Sequence, residues 1–302
     1  MCLSKNTRFK LLVSSAISLL AACSAADVAS PGSTGPVTIG DGNGGNGGGN
    51  GGGNDDAVML DFVPAGGCLA GTVSDSITSG NTTITACTIS NAGAGGPIVN
   101  DLDLSGLSAV IIDGPVFVGD DNASGTAAPT IKFAPGQVVI GASGNDYIVI
   151  ARGAKIDAQG TPSQPIIFTS AADIASATTE SELVAAASDG VSASGADSNG
   201  EWGGIIINGR APINDCNDDN QTGGTVACVK SGEGASGLFG GASASDDSGT
   251  MRYVRVQYAG FRVNDEDELN GITFQGVGSA SDFEFIQIHN NLDDGVEWFG
   301  GT

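Results

Sequence analysis

The sequence predicts an all-β fold, a right-handed parallel β-helix in which short strands stack coil upon coil. The first observation lies in residues 147–170, where three β-branched runs, 148–150, 155–157 and 166–168, are separated by glycines and prolines. Strands this short cannot bury a face within one hairpin. They can bury it when each strand stacks on its counterpart one turn later, which is how a β-solenoid is built.

The second observation is the spacing of two pairs of similar segments. Val254 and Ile286 begin similar runs 32 positions apart, whereas Ile272 and Val296 lie 24 positions apart. The eight residues 261–268, inserted in the first of these coils, account for the difference. We therefore expect Val254 to stack on Ile286 and Ile272 to stack on Val296.

The composition agrees with this fold and restricts the partners. The 302 residues include 49 glycines, with 5% aromatic and 15% charged residues, which suits a turn-rich β structure. The net charge is −23. A surface this acidic repels phosphate backbones, so nucleic acid is not expected as a partner. Divalent cations and neutral or cationic ligands remain possible partners.

The chain divides into three segments. Residues 1–22 have the pattern of a signal peptide, in which basic residues 5–10 precede an apolar run, 11–20, that is too short to span a bilayer. Residues 23–56 are rich in Gly and Asn and are predicted to be a flexible tether. Residues 57–302 then form the predicted β-helix domain.

The cysteines fit an exported protein. Cys2 lies in the signal peptide and Cys23 directly after it, and four others remain: Cys68, Cys87, Cys216 and Cys228. An oxidising compartment favours disulfides among these four. Three pairings are possible, and we favour the local pairs Cys68–Cys87 and Cys216–Cys228 because they close the shortest loops. The single histidine argues against a zinc site.

Two long segments interrupt the strand rhythm. In residues 169–201, a capping box at 179–182 precedes 183–187, which predicts a short helix on a side loop. Residues 212–247 form a second long loop that holds one of the predicted disulfides.

Side-chain alternation predicts a polar row on the outside of the last coils. Val254, Val256, Ile272, Phe274, Ile286, Ile288, Val296 and Trp298 are expected to point inward. The candidate ligand surface consists of Arg255, Gln257, Thr273, Gln287, His289 and Glu297. Stacking would place Arg255 beside Gln287, Gln257 beside His289 and Thr273 beside Glu297. A polar row of this kind suits an extended glycan, and the alternative is an ordinary solvated face.

Two other sites are candidates for chemistry. Asp293, Asp294, Glu297 and His289 resemble the acid pairs of inverting glycosidases, although Asp293 and Asp294 also fit a turn. Asp215, Asn217, Asp219 and Gln221 offer oxygen ligands at alternate positions, as Ca²⁺ loops do, although the glycine and glutamate of an EF-hand are missing. Calcium is thus the one cofactor that the sequence suggests.

Longer runs carry a resemblance to a known family. GAKIDAQGTPSQPIIFTS, EWGGIIINGRAPINDC, ELNGITFQGVG and HNNLDDGVEWFGGT resemble the repeats of Gram-negative outer-membrane lipoproteins with a right-handed parallel β-helix. The resemblance covers most of residues 114–302. The sequence LAAC at 20–23 resembles a lipobox, which implies that Cys23 is acylated, and Ser24 after it implies the outer membrane. Chains of that family continue for further coils, which implies that this sequence is a fragment.

Together these observations predict a lipid-anchored outer-membrane protein whose β-helix has a binding or structural role and no catalytic activity. The expected partners are the membrane, through the lipid, and a glycan or an outer-membrane protein such as a transporter. The alternatives are a polysaccharide hydrolase or lyase of the pectin-degrading β-helix type and a purely structural surface protein.

Overall fold

The structure is a computed structural model that describes residues 57–121, 129–264 and 267–302. The predicted signal peptide, the tether and Cys23 lie outside the described residues. Within the described ranges, no helix has both the length and the apolar character needed to cross a bilayer.

The regular secondary structure of the described residues consists mainly of strands, with two α-helices and one 3-10 turn. The strands are β1 (Val58–Asp61), β2 (Val73–Ser79), β3 (Thr82–Ile89), β4 (Leu102–Asp103), β5 (Ala109–Ile112), β6 (Pro115–Val118), β7 (Thr130–Phe133), β8 (Val138–Gly141), β9 (Tyr147–Ile150), β10 (Lys155–Gln159), β11 (Ile166–Ser170), β12 (Gly204–Asn208), β13 (Lys230–Ser231), β14 (Leu238–Phe239), β15 (Gly249–Gln257), β16 (Arg262–Asn264), β17 (Asp267–Glu268), β18 (Ile272–Gln275), β19 (Asp282–His289) and β20 (Val296–Phe299). The helices are α1 (Asn91–Ala94) and α2 (Glu180–Asp189), and the 3-10 turn is Glu233–Ala235.

The strands stack in parallel along three faces of a coil. Face 1 contains β4, β7, β10 and the first halves of β15 and β19. Face 2 contains β3, β5, β8, β11 and the second halves of β15 and β19. Face 3 contains β6, β9, β12, β18 and β20. The predicted parallel β-helix is confirmed.

The predicted register of the last coils is also confirmed. Val254 pairs with Ile286 across β15 and β19, and Ile272 pairs with Val296 across β18 and β20. The inserted residues 261–268 leave the coil at the end of face 2, where β16 and β17 pair as a small antiparallel hairpin. Strands on both sides of the insertion therefore keep the same partners in the next coil.

Inward side chains form one continuous core along the axis of the helix. It contains Ile131, Ile156 and Met251 from face 1 and Ile205 and Ile272 from face 3. Alternate strand positions point to the same side, so each four-residue strand supplies two of these side chains. Phe168 lies deep in this core, with its ring centroid 5.2 Å from that of Phe133 and 6.5 Å from that of Trp202.

A second apolar cluster lies outside face 2, beneath insertion 1 (residues 171–203). The helix α2 starts at the N-cap Thr179, whose side chain accepts a hydrogen bond from the Glu182 amide, and ends at Gly190 with φ +72°. The predicted helix and its capping box are thus confirmed. Leu183 and Ala187 pack on the outward side chains of face 2, so this face is covered in its middle coils.

Insertion 2 (residues 209–248) covers part of face 3. Arg210 donates from its backbone N and Nε to the buried Asp246 carboxylate, at 2.8 and 2.7 Å. This contact joins the two ends of the insertion. Tyr147 on β9 donates to the carbonyl of Gly234 at 2.7 Å, which fixes the middle of the insertion over face 3.

Both predicted disulfides are confirmed. Cys68 is bonded to Cys87, and Cys216 is bonded to Cys228. Cys87 belongs to the axial core at its N-terminal end, where β2 pairs with β3 in antiparallel fashion, so the first disulfide holds the cap of the coil. The second stabilises insertion 2, where Cys228 is fully buried.

Removing the Phe168 ring should destabilise the coil strongly. We expect Phe168→Ala to lower the free energy of unfolding by about 3–5 kcal/mol, because it leaves a cavity between two other aromatic rings. Urea unfolding followed by circular dichroism measures the change. Val191→Ala, at a position 67% exposed, is the control and should change stability by less than about 0.5 kcal/mol. Equal, small effects of both changes would contradict a continuous axial core.

Candidate functional site

The predicted polar row is in register but is not one exposed surface. Arg255 pairs with Gln287 and Gln257 with His289, and Thr273 pairs with Glu297, as predicted. The prediction that all six side chains lie on one exposed outer surface is nevertheless wrong for Gln257 and Thr273, which are buried. Gln257 lies beneath insertion 1, and Thr273 accepts a hydrogen bond from Asn270 in the turn before its own strand.

Gln257 is a structural residue beneath α2. Its Nε2 lies within hydrogen-bond distance of Thr169 Oγ1 (3.1 Å), Asp173 Oδ2 (2.8 Å) and the Ala187 carbonyl (3.0 Å). The last carbonyls of a helix have no partner within the helix and need one from outside. Gln257 therefore connects the sheet to the end of α2.

Arg255 and His289 contact the same helix end. Arg255 Nη1 donates to the Ser188 carbonyl at 2.6 Å, and Arg255 Nε donates to Gln287 Oε1 at 3.1 Å. His289 Nε2 lies 2.9 Å from the Gly190 carbonyl. Basic groups at this end interact favourably with the negative pole of the helix. The structure thus assigns these side chains to the attachment of insertion 1.

The four residues of the predicted acid cluster are only partly brought together. His289 faces α2, whereas Glu297 accepts a hydrogen bond from Asn270 Nδ2 at 2.6 Å. Burial raises the pKa of Glu297, the Asn270 hydrogen bond lowers it, and the nearby charges of Asp294 and Asp293 raise it further, so that it ends above its ordinary value. Asp293 and Asp294 are exposed. The cluster that remains is one half-buried carboxyl beside two exposed ones.

The side chains of the predicted calcium loop have separate partners. Asp215 pairs with Lys230 at 2.9 Å, and Asn217 Oδ1 accepts from the Ser231 amide at 3.0 Å. Gln221 Nε2 is 3.5 Å from Asp218, and Asp219 is exposed. In the part of the chain that the structure describes, no group of three or more His, Cys, Asp or Glu side chains is placed to hold a metal ion.

Face 1 carries an exposed row that the sequence reasoning missed. Its outward side chains are all partly or fully exposed: Asp103, Lys132, Lys155, Asp157, Gln159, Thr250, Arg252, Asp282 and Glu284. They stack in register, for example Lys132 on Asp157 and Asp157 on Thr250. The spacing between coils is about 4.8 Å. The face therefore presents a regular ladder of hydrogen-bonding groups.

Ion pairs neutralise the basic groups of this ladder. Lys132 pairs with Asp103 at 3.9 Å and Arg252 with Asp282 at 2.5 Å. The hydrogen bond and charge of Asp282 raise the pKa of Arg252. Lys155 pairs with Asp247 at 2.5 Å. Burial alone would raise the pKa of Asp247, but hydrogen bonds from Lys155 and the Gly249 amide leave it lowered.

Two stacked aromatic rings border face 1 at its corner with face 2. The rings of Tyr253 and Phe285 are 4.5 Å apart and inclined by only 5°. Both residues have left-handed backbones, with φ of +49° and +54°, which non-glycine residues rarely adopt. Phe285 is 60% exposed. With Pro162, Pro165, Arg255, Gln287 and other neighbours, the two residues line a hollow of about 170 Å³.

A sequence signal for this corner exists. Met251 points into the core, Arg252 points out, and Val254 points in again, so strict alternation fails at Tyr253. The same break recurs 32 positions later at Phe285. A large aromatic residue at a corner, repeated in the next coil, is therefore visible in the alignment of the two repeats.

The fold and these surfaces define a class of protein, a parallel β-helix with one exposed polar sheet face bordered by aromatic rings. The chain belongs to the pectate-lyase-like β-helix domain family, whose model matches residues 97–186 and 186–302. No curated protein and no solved structure matches the chain at a significant level.

Two glutamines of the last coils should respond very differently to truncation. We expect Gln257→Ala to lower the free energy of unfolding by about 2–3 kcal/mol, because it leaves buried polar partners unsatisfied. Gln287→Ala, at an exposed position of the same outer side, should cost less than about 0.5 kcal/mol. Chemical denaturation of both variants measures the difference. If Gln257→Ala is as stable as the wild type, the result would contradict a structural role of Gln257 beneath α2.

Proposed function

We propose that this protein is a lipid-anchored β-helix of the bacterial outer envelope that binds an extended neutral polysaccharide along face 1 without cleaving it. The observation that carries the proposal is the stacked pair of Tyr253 and Phe285 beside the polar ladder. Sugar rings have apolar faces that pack on aromatic side chains, and their hydroxyl groups need both donors and acceptors. The corner rings and the ladder offer these together.

Charge supports a neutral ligand over an anionic one. The chain carries a net charge of −23. The cations of face 1 are paired with carboxylates, two of them on the same face and the third, Asp247, at the end of insertion 2. A polyuronide would therefore approach against a repulsive field. Each ion pair still offers donors and acceptors to a hydroxyl group, because Arg and carboxylate side chains have more than one bonding position.

The proposed location at the outer membrane is based on the N-terminal sequence. The pattern of residues 1–22 and the LAAC ending suit export followed by acylation at Cys23. Two or three acyl chains would anchor the domain stably. The tether 23–56 would hold the β-helix away from the lipid surface, with a reach of roughly 30 Å if it behaves as a random coil.

Loss of the Phe285 ring should weaken glycan binding. We expect Phe285→Ala to raise the dissociation constant at least about tenfold, or about 1.4 kcal/mol, because the exposed stacking surface is removed. Affinity gel electrophoresis with soluble neutral β-glucans, xylans and galactans measures binding, and polygalacturonate serves as the anionic comparison. Val99→Ala, at a position 57% exposed at the other end of the coil, is the matched control.

Two results would contradict this proposal. Wild-type protein that is not retarded by any neutral polysaccharide would remove glycan binding. New reducing ends released by the wild type and lost in Asp294→Asn would favour a hydrolase instead, for which the raised pKa of Glu297 beside two exposed carboxylates is the supporting observation.

The anchor has its own test. Full-length Cys23→Ala expressed in a Gram-negative host should lose the acyl modification and leave the membrane fraction, since Cys23 would carry the whole lipid attachment. Membrane fractionation and mass spectrometry of the N-terminal peptide measure this outcome. Cys2→Ala is the control and should leave both unchanged. Membrane retention of unmodified Cys23→Ala protein would contradict the lipid anchor.

A further inference from the structure

A buried carboxylate lies between face 2 and insertion 1. Asp173 is fully buried. Its Oδ2 accepts hydrogen bonds from Thr169 Oγ1 on β11 at 2.6 Å and from Gln257 Nε2 on β15 at 2.8 Å. Its other oxygen, Oδ1, has no hydrogen-bond partner. A buried carboxylate with one unsatisfied oxygen is costly when ionised and much less costly when that oxygen carries a proton.

The surroundings of Asp173 add to this cost. Burial raises its pKa to about 6, the hydrogen bonds from Thr169 and Gln257 act in the opposite direction, and the charges of Asp189 and Glu201 raise it again. Tyr258 contributes a second buried group, whose pKa burial and the charge of Asp173 raise to about 12.

Asp173 and the C-terminus of α2 are attached to the sheet through the same side chain. Gln257 Nε2 contacts both Asp173 Oδ2 and the Ala187 carbonyl. Arg255 and His289 hold the next carbonyls, those of Ser188 and Gly190. His289 also meets the Tyr258 ring edge-on, with centroids 5.8 Å apart. Loss of the Asp173 contact therefore affects the residue that holds the end of the helix.

We propose that insertion 1 is a pH-sensitive latch over face 2, closed when Asp173 is protonated and loosened when Asp173 is ionised. The groups that face Asp173 or the helix end beside it are Asp189 of α2, Glu201 at the end of the insertion, Tyr258 and Arg255 of the β15 region, and His289 of β19. The latch is independent of glycan binding.

The direction follows from proton linkage. The closed state binds the Asp173 proton more tightly than an open state in which the carboxyl is solvated with an ordinary pKa of 3.8. The open state therefore gains population as the pH rises through 6, and the closed state gains it as the pH falls. With these two pKa values, the opening equilibrium constant should increase about tenfold between pH 5 and pH 8.

Native-state hydrogen exchange of the full chain tests the latch. Protection factors for the amides of α2 at pH 5 and pH 8, each corrected for the intrinsic exchange rate, give the opening constant. We expect wild-type protection to fall about tenfold over this range. Asp173→Asn should keep high protection at both values, because an amide of the same shape cannot ionise. Amides of the axial core, such as that of Ile156, serve as the internal reference and should not follow this change.

Two further variants keep the test decisive even if Asp173→Asn does not fold. Asp189→Asn removes a charge that raises the Asp173 pKa, so the midpoint of the protection change should move to lower pH. Asp197→Asn removes an exposed carboxylate of the same insertion and should leave the midpoint unchanged. Equal wild-type protection at pH 5 and 8 would overturn the latch. An identical shift in the Asp189 and Asp197 variants would also overturn it.

Discussion

The structure depends on the stacking of inward aliphatic side chains from one coil onto the next. Ile148, Ile205 and Ile272 pair in series along face 3, and all three are fully buried. A strand of four residues has two inward side chains and cannot bury them against its own coil alone. Each coil therefore supplies the burial that its neighbour lacks, and the register of every strand is fixed by this requirement. The cap at Cys68–Cys87 closes this series at its N-terminal end.

Outward positions are free of this constraint, and the chain uses them differently on each face. On face 2, Ile140 and Ile167 support the apolar side of insertion 1, whereas Gln257 and His289 meet the polar end of α2. Outward side chains of face 2 are thus hydrophobic where they meet the apolar side of α2 and polar where they meet its C-terminal end. On face 1, Asp247 at the end of insertion 2 pairs with Lys155, and the outward side chains of the ladder are still partly or fully exposed. This exposure is the reason why we assign the proposed ligand to face 1.

The sequence predicts inward positions better than outward ones, for a physical reason. The residues that point inward can be identified from side-chain alternation and from the repeat length. The predicted pairing of Val254 with Ile286 and of Ile272 with Val296 is therefore found in the structure. Outward burial depends on where a distant insertion folds back, so Gln257 and Gln287 look alike in the sequence and differ in the structure. The helix and both disulfides were predictable because their signals are local. The aromatic corner at Tyr253 and Phe285 was not predicted, because it lies where the alternation of inward and outward side chains breaks and the prediction assumed strict alternation.

The energetics of that corner favour a role in binding. A left-handed backbone at Tyr253 and at Phe285 costs on the order of 1–3 kcal/mol each. Stacking of the two rings returns about 0.5–1.5 kcal/mol beyond the contribution of the area that the rings bury. This stacking term alone does not offset the strain at the two corners. Glycine or asparagine at both corners would reduce the strain and leave the inward neighbours Met251 and Val254 in place. The exposed ring of Phe285 and the strain at the two corners are the observations on which we base the proposed binding of a glycan.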